Sequence, residues 1–131
     1  MRGPSGLTSK QEARLRERFE EDRRRFRRED LPRILAEAQG SLERLEGDPI
    51  QRDLGRRFRV LRDLLAAWDR GAADLSALEG ASLAAALQYL TTPGDLLPDF
   101  LPLVGYRDDR FVADLAEAAA RDALGRYVSG G

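Results

Sequence analysis

Hydrophobic positions recur at the spacing of an α-helix in two consecutive stretches of the chain. Apolar residues follow one another every three or four positions over residues 31–46 and again over residues 49–70. An aspartate followed closely by a proline marks the start of each stretch, because proline is tolerated in a first helical turn. The predicted core positions of the two helices are Leu31, Ile34, Leu35, Ala38, Leu42, Leu45, Ile50, Leu54, Phe58, Leu61, Leu64, Leu65 and Trp68.

Two more helices flank a proline-rich segment in the second half of the chain. Residues 81–92, opened by Ser82 or a neighbouring residue, are apolar on nearly every face, which indicates a buried helix. Residues 72–80 are predicted to be a connector. The last helix is predicted over residues 108–128, with an apolar face formed by Phe111, Val112, Leu115, Ala119, Leu124 and Tyr127.

The first helix, predicted over residues 8–29, has only a narrow apolar stripe on a charged rod. Thr8 or Ser9 can cap it, with Glu12 completing a capping box. Acidic residues interleave with the arginines, so most of the surface is expected to be solvated. A helix of this kind lies on a surface or binds a partner. The stripe, which we predict to bind a partner, consists of Leu15, Phe19 and Phe26.

These patterns predict an all-α fold of about five helices, without any alternating run typical of a strand. Residues 1–30 are predicted to form a charged N-terminal helix that is peripheral or partner-binding. Residues 31–131 are predicted to form a helical domain. Within it, a buried helical hairpin (81–92 and 108–128) is joined by a Pro/Asp-rich loop, and the two preceding helices pack against it.

Composition narrows the chemistry. The chain has no cysteine and no histidine, which excludes thiol nucleophiles, disulfides and zinc sites built on imidazole or thiolate. We therefore predict a cytoplasmic protein.

The net charge is −1, so nucleic acid is not a favoured partner. The longest run without a charge, residues 80–94, is shorter than the roughly 20 residues of a spanning helix.

Four aspartates and three prolines fall between residues 93 and 109 in a set pattern. This run, beginning at Tyr89 as YLTTPGDLLPDFLPLVGYRDD, resembles the signature of the YkvA-like domain of unknown function, with the resemblance extending over about residues 81–118. The resemblance implies a small helical domain, mostly bacterial, with no settled activity. Some relatives carry membrane segments. The matching positions are Tyr89, Pro93, Asp95, Leu97, Pro98, Asp99, Pro102, Gly105, Asp108 and Asp109.

The aspartates of the signature, Asp95, Asp99, Asp108 and Asp109, admit three interpretations. They can cap helices, with Tyr89, Pro93, Pro98, Pro102 and Gly105 fixing the geometry. They can bind a metal, since converging carboxylates suit Mg²⁺ or Ca²⁺. They can also form ion pairs with arginines of this chain or of a partner. The available arginines of this chain are Arg56, Arg57, Arg59, Arg107 and Arg110.

The function favoured by the sequence is a non-catalytic helical interaction or assembly module, bound to a protein partner or to a second copy. An alternative is a metal-dependent hydrolase or phosphate-handling protein that uses the aspartates with Mg²⁺ or Mn²⁺. No other cofactor is predicted. A third interpretation is peripheral membrane attachment through an exposed apolar loop. The loop residues concerned are Leu96, Leu97, Phe100, Leu101 and Val104.

Overall fold

The computed structural model describes residues 5–92 and 107–130, with the backbone alone for the last two of these. These residues form six α-helices and one 3₁₀ turn, and none of them lies in a strand, so the all-α prediction is confirmed for this part of the chain. The helices are α1 (Ser9–Arg25), α2 (Leu31–Gly47), α3 (Arg52–Asp69), α4 (Ala77–Thr91), α5 (Arg107–Ala119) and α6 (Arg121–Gly130), with the 3₁₀ turn at Arg28–Asp30.

Helix α4 is the centre of the fold, because α1, α2, α3 and α5 all pack against it. Its sequence explains this position, since it is apolar on every face and three consecutive alanines let its neighbours approach closely. The prediction of a buried helix is confirmed. Its predicted start at Ser82 is wrong. The helix begins at Ala77, where Ser76 and Glu79 form a capping box, and Ser82 is buried inside it.

Helices α2 and α3 pack against each other and against α4 through the predicted apolar positions. Ile50 is the exception, because 79% of its side chain is exposed. The Asp48 carboxylate accepts a 2.9 Å hydrogen bond from the Ile50 backbone N–H, which forms a turn before α3 rather than a helix cap. Helix α3 therefore begins at Arg52, three residues later than predicted, and Ile50 stays outside the core.

Helix α1 packs against α4 and α5, so the prediction of a peripheral helix is wrong for this part of the chain. Leu15 and Phe19 are buried in the core, and Phe26 is half-buried against it. The helix is capped by Thr8 together with Gln11. The Gln11 backbone N–H donates a hydrogen bond to the Thr8 hydroxyl, and the Gln11 side-chain oxygen accepts a 2.9 Å bond from the Thr8 N–H. The apolar stripe is narrow because α1 contributes only one edge of the core.

The last predicted helix is two helices in the structure, α5 and α6, separated at Ala120. Helix α5 packs along α4 through Phe111 and Val112, so the two helices of the predicted hairpin do meet. Their connection falls on residues 93–106, outside the described residues. Among the helices that the structure describes, none combines the length and the apolar character that crossing a membrane requires.

Candidate functional site

Two residues of the sequence signature, Tyr89 and Asp108, meet where α4 packs on α5. Tyr89 lies in the last turns of α4, and Asp108 lies in the first turn of α5. The Tyr89 hydroxyl donates a 2.8 Å hydrogen bond to Oδ2 of Asp108. This bond ties together the two helices that flank residues 93–106.

Burial keeps the Tyr89 hydroxyl in its protonated form. The side chain is 4% exposed, and burial raises its pKa, with the negative charge of Asp108 raising it further. The hydroxyl therefore serves as a hydrogen-bond donor at neutral pH. A tyrosine used as a catalytic base would need the opposite shift, toward the working pH.

The neighbouring carboxyl, Asp109, is buried, with 8% of the side chain exposed. Burial raises its pKa to about 8, and the charge of Asp108 adds to the effect. Among the described residues, no group donates a hydrogen bond that would stabilise the ionised form. Asp109 is therefore mostly a neutral acid at pH 7, whereas its neighbour Asp108 accepts the bond from Tyr89.

Replacing Tyr89 with phenylalanine is expected to lower the free energy of unfolding by about 1.5 kcal/mol. This value is the lower end of the range for a hydrogen bond to a charged group, because Asp108 is only half-buried and can bond to water instead. Urea denaturation measures the change. Tyr127→Phe is the matched control, since the Tyr127 hydroxyl makes no hydrogen bond within the described residues. Equal losses in the two variants would show that the bond to Asp108 contributes nothing.

Helix α1 brings an arginine to the same end of α4. Arg18 Nε donates a 3.0 Å bond to Oδ2 of Asp22 on its own helix, and Nη2 lies 3.4 Å from the hydroxyl of Thr92, the C-cap of α4. Burial raises the pKa of Asp22, while the Arg18 charge opposes that rise. The helix predicted to bind a partner thus contacts the signature within the chain.

The rest of the signature lies outside the described residues. The metal and membrane interpretations both depend on residues 95–104, so the described residues do not bear on them. Within the described residues, no group of three or more acidic side chains is placed to hold a metal ion. The signature positions concerned are Pro93, Asp95, Leu97, Pro98, Asp99, Pro102 and Gly105.

Three of the arginines available to the signature aspartates, Arg56, Arg57 and Arg59, pair with other acidic side chains among the described residues. Any pairing with Asp95 or Asp99 lies outside the described residues. Arg57 binds Glu117 through two hydrogen bonds of 3.0 and 2.6 Å and also pairs with Asp114, which fastens α3 to α5. Arg59 binds Glu46 at 3.1 and 2.7 Å. The partners of Arg57 lie 57 and 60 positions away, so no local spacing could have revealed them. Two further pairs are Arg56 with Asp53 and Arg110 with Gln51.

An open groove of about 610 Å³ lies between α3 and the α5–α6 pair. Its apolar lining includes the buried Leu61, the half-buried Leu124 and Val128, whose side chain is 68% exposed. Arg57 with its partners Asp114 and Glu117, here called the Arg57 cluster, forms one part of the charged lining, and Arg121 forms another. No sequence pattern revealed this groove, because Leu61 and Leu124 are ordinary core positions when each helix is considered alone.

Residues 81–113 match the model of the family described as Protein of unknown function (DUF1232). The predicted YkvA-like resemblance is confirmed. The match covers 33 of the 131 residues, from α4 to the middle of α5, and it includes Tyr89, Asp108 and Asp109. No curated protein and no solved structure matches the chain. The hydrogen bond between Tyr89 and Asp108 therefore lies within the DUF1232 segment, whereas Arg18 and every residue that lines the groove lie outside it.

Proposed function

We propose that the chain is a non-catalytic interaction module that binds an amphipathic helix of a partner protein in the groove between α3 and α5–α6. The observation that carries this proposal is the apolar floor of the groove, which is open to solvent at Val128. An apolar centre with a charged rim is the usual anatomy of a protein interface. A helix with apolar residues at i, i+3 or i+4, and i+7 fits such a groove.

Charges on the rim favour an acidic partner. The lining carries three arginines, Arg56, Arg57 and Arg121, against the two carboxylates of Asp114 and Glu117, an excess of one positive charge. Arg57 binds both carboxylates, and these bonds raise its pKa. Arg121 is exposed and forms no ion pair with a described residue. An acidic side chain on the partner helix would complement Arg121, which favours the correct partner and its orientation.

The signature residues that the structure describes, Tyr89, Asp108 and Asp109, support a structural rather than a catalytic role for these three positions. Tyr89 is held as a hydrogen-bond donor, and its pKa is shifted away from neutrality. Asp109 is too deeply buried to meet a substrate. The bond from Tyr89 to Asp108 ties α4 to α5, and the packing of these two helices fixes one wall of the groove.

Selection from a displayed library of helical peptides, followed by calorimetric titration, tests the groove. We expect the selected peptides to share an apolar i, i+4 pattern and an acidic residue. Val128→Glu is expected to weaken their binding at least about tenfold, because it places a charge in the apolar floor and repels the acid. Ile50→Glu is the matched control, since Ile50 is also a β-branched apolar residue, one methylene group larger than valine and 79% exposed, outside the groove.

Three results would contradict the proposal. The first is a selection that enriches no amphipathic peptide. The second is equal binding by Val128→Glu and Ile50→Glu. The third comes from sedimentation of the chain alone: a dimer that Val128→Glu dissociates and Ile50→Glu does not would make a second copy, rather than a partner helix, the occupant of the groove.

A further inference from the structure

A separate cavity of about 670 Å³ lies where the end of α1, the end of α3 and the start of α4 converge. Its polar wall carries three arginines, and no acidic side chain of the described residues lines it. Its apolar wall includes Leu75, Leu78 and Ala81, and 60% of the Leu78 side chain is exposed. We call it the arginine–tryptophan cavity, after Arg23, Arg27, Arg28 and Trp68.

Trp68 is fixed from two sides and forms a rigid part of the wall. The guanidinium of Arg28 lies 3.8 Å over the indole ring, and its Nη2 donates a 3.0 Å bond to the Trp68 carbonyl oxygen. Gly80 of α4 lies against the ring, where a Cβ atom would overlap the indole. Phe26 packs against Trp68, with 6.5 Å between the two ring centroids. The cavity is therefore largely preformed.

Arg23 retains hydrogen-bonding capacity at the inner end of the cavity. It pairs with Glu20 and donates a 3.2 Å bond to the Ser82 hydroxyl. Its Nε atom is buried and has no hydrogen-bond partner within the described residues. Burial lowers the pKa of this guanidinium. Buried donors of this kind are rare and costly, and an anion nearby would stabilise the charge.

We propose that the arginine–tryptophan cavity binds an amphiphilic anion, that is, a carboxylate or phosphate headgroup on a short aliphatic chain. The arginines complement the headgroup, and Leu75 and Leu78 offer apolar surface to the chain. The volume lies in the range of small-molecule sites. A flat nucleobase fits less well, because Arg28 and Gly80 already cover the faces of Trp68 and leave the side chain 8% exposed.

Trp68 is the only tryptophan of the chain, so its fluorescence reports directly on this cavity. The full chain is titrated with decanoate and with decyl phosphate, each below its critical micelle concentration, and with the neutral decyl glucoside. We expect a saturable change in emission with the two anions alone. Arg27→Gln and Leu78→Asp are each expected to weaken binding about tenfold or more. Arg25→Gln, which removes an arginine 76% exposed outside the cavity, should bind as the parent does.

Vesicles distinguish a free amphiphile from a membrane lipid. Binding to decanoate assigns a free ligand. Binding to phosphatidylglycerol vesicles alone, lost in Leu78→Asp and absent with phosphatidylcholine, assigns a lipid headgroup. The proposal is overturned if no probe gives a saturable change, if decyl glucoside binds as well as the anions, or if Arg25→Gln weakens binding as much as Arg27→Gln. Thermal melts of the variants show whether each is folded, and both test positions are exposed enough to tolerate substitution.

Discussion

Replacing Phe19 with alanine is expected to lower the free energy of unfolding by about 3–5 kcal/mol, the range for a buried aromatic residue. Phe19 is 5% exposed in the core, and the Arg23 guanidinium lies 4.9 Å over its ring. The free energy of unfolding of small domains is only about 5–15 kcal/mol, so this loss would be a large part of it. Urea denaturation of the parent and variant chains measures the difference.

Ile50→Ala is the control for this experiment. Both side chains are large and apolar, but Ile50 is 79% exposed, so its loss should change stability by no more than about 0.5 kcal/mol. If Phe19→Ala costs as little as Ile50→Ala, α1 does not pack against α4 in solution. The stripe containing Phe19 would then be available to a partner, as its pattern in the sequence predicted.

The packing of α1 in the core differs from the prediction for a physical reason. Leu15, Phe19 and Phe26 are few, and a narrow stripe alone favours a surface helix. The central helix supplies the missing information, because a helix that is apolar on every face needs neighbours on every face. Helices α2, α3 and α5 leave part of α4 to be covered, and α1 covers it. The pattern of one helix could therefore have corrected the interpretation of another.

Element boundaries were predictable where a local signal sets them. The Ser76–Glu79 capping box is present in the sequence as Ser-x-x-Glu, and the proline after Thr92 was enough to predict the end of α4. The break at Ala120 was not predictable, because neither proline nor glycine marks it.

The residues of the candidate site were also predictable only where a local sequence pattern marks them. The signature identified Tyr89 and Asp108 as positions that matter, but it gave no partner for either residue, and their hydrogen bond depends on how α4 packs on α5. The Arg57 cluster and the arginine–tryptophan cavity join residues far apart in sequence. Contacts of this kind depend on tertiary packing, which periodicity within one helix does not encode.

Asp109→Asn is expected to remove much of the pH dependence of stability between about pH 4 and pH 8. In the unfolded chain this carboxyl ionises near its ordinary value of 3.8, whereas burial raises its pKa in the folded chain to about 8. Between these values the folded state binds more protons, so the free energy of unfolding falls as the pH rises, by up to about 1.4 kcal/mol per pH unit. The contribution of the neutral acid is complete below pH 4 and lost above pH 8.

Urea denaturation at several pH values measures this slope. Asparagine resembles the neutral acid in shape, so Asp109→Asn should match the parent near pH 4 and exceed its stability at pH 8. Asp22, whose pKa burial also raises, leaves a smaller residual slope. Asp74→Asn, at an exposed position without an ion pair among the described residues, should leave the slope unchanged.

Divalent cations give the same experiment a second use. A cation bound at Asp109 would stabilise the carboxylate and lower its pKa, so added Mg²⁺ would flatten the slope of the parent chain and not that of Asp109→Asn. A slope that Mg²⁺ leaves unchanged is what a buried neutral acid requires. The two outcomes separate the metal interpretation of the signature from a structural one, because the pH profile reports the charge state of the Asp109 carboxyl itself. A loss of stability in a variant would not separate them, because it is expected for either role.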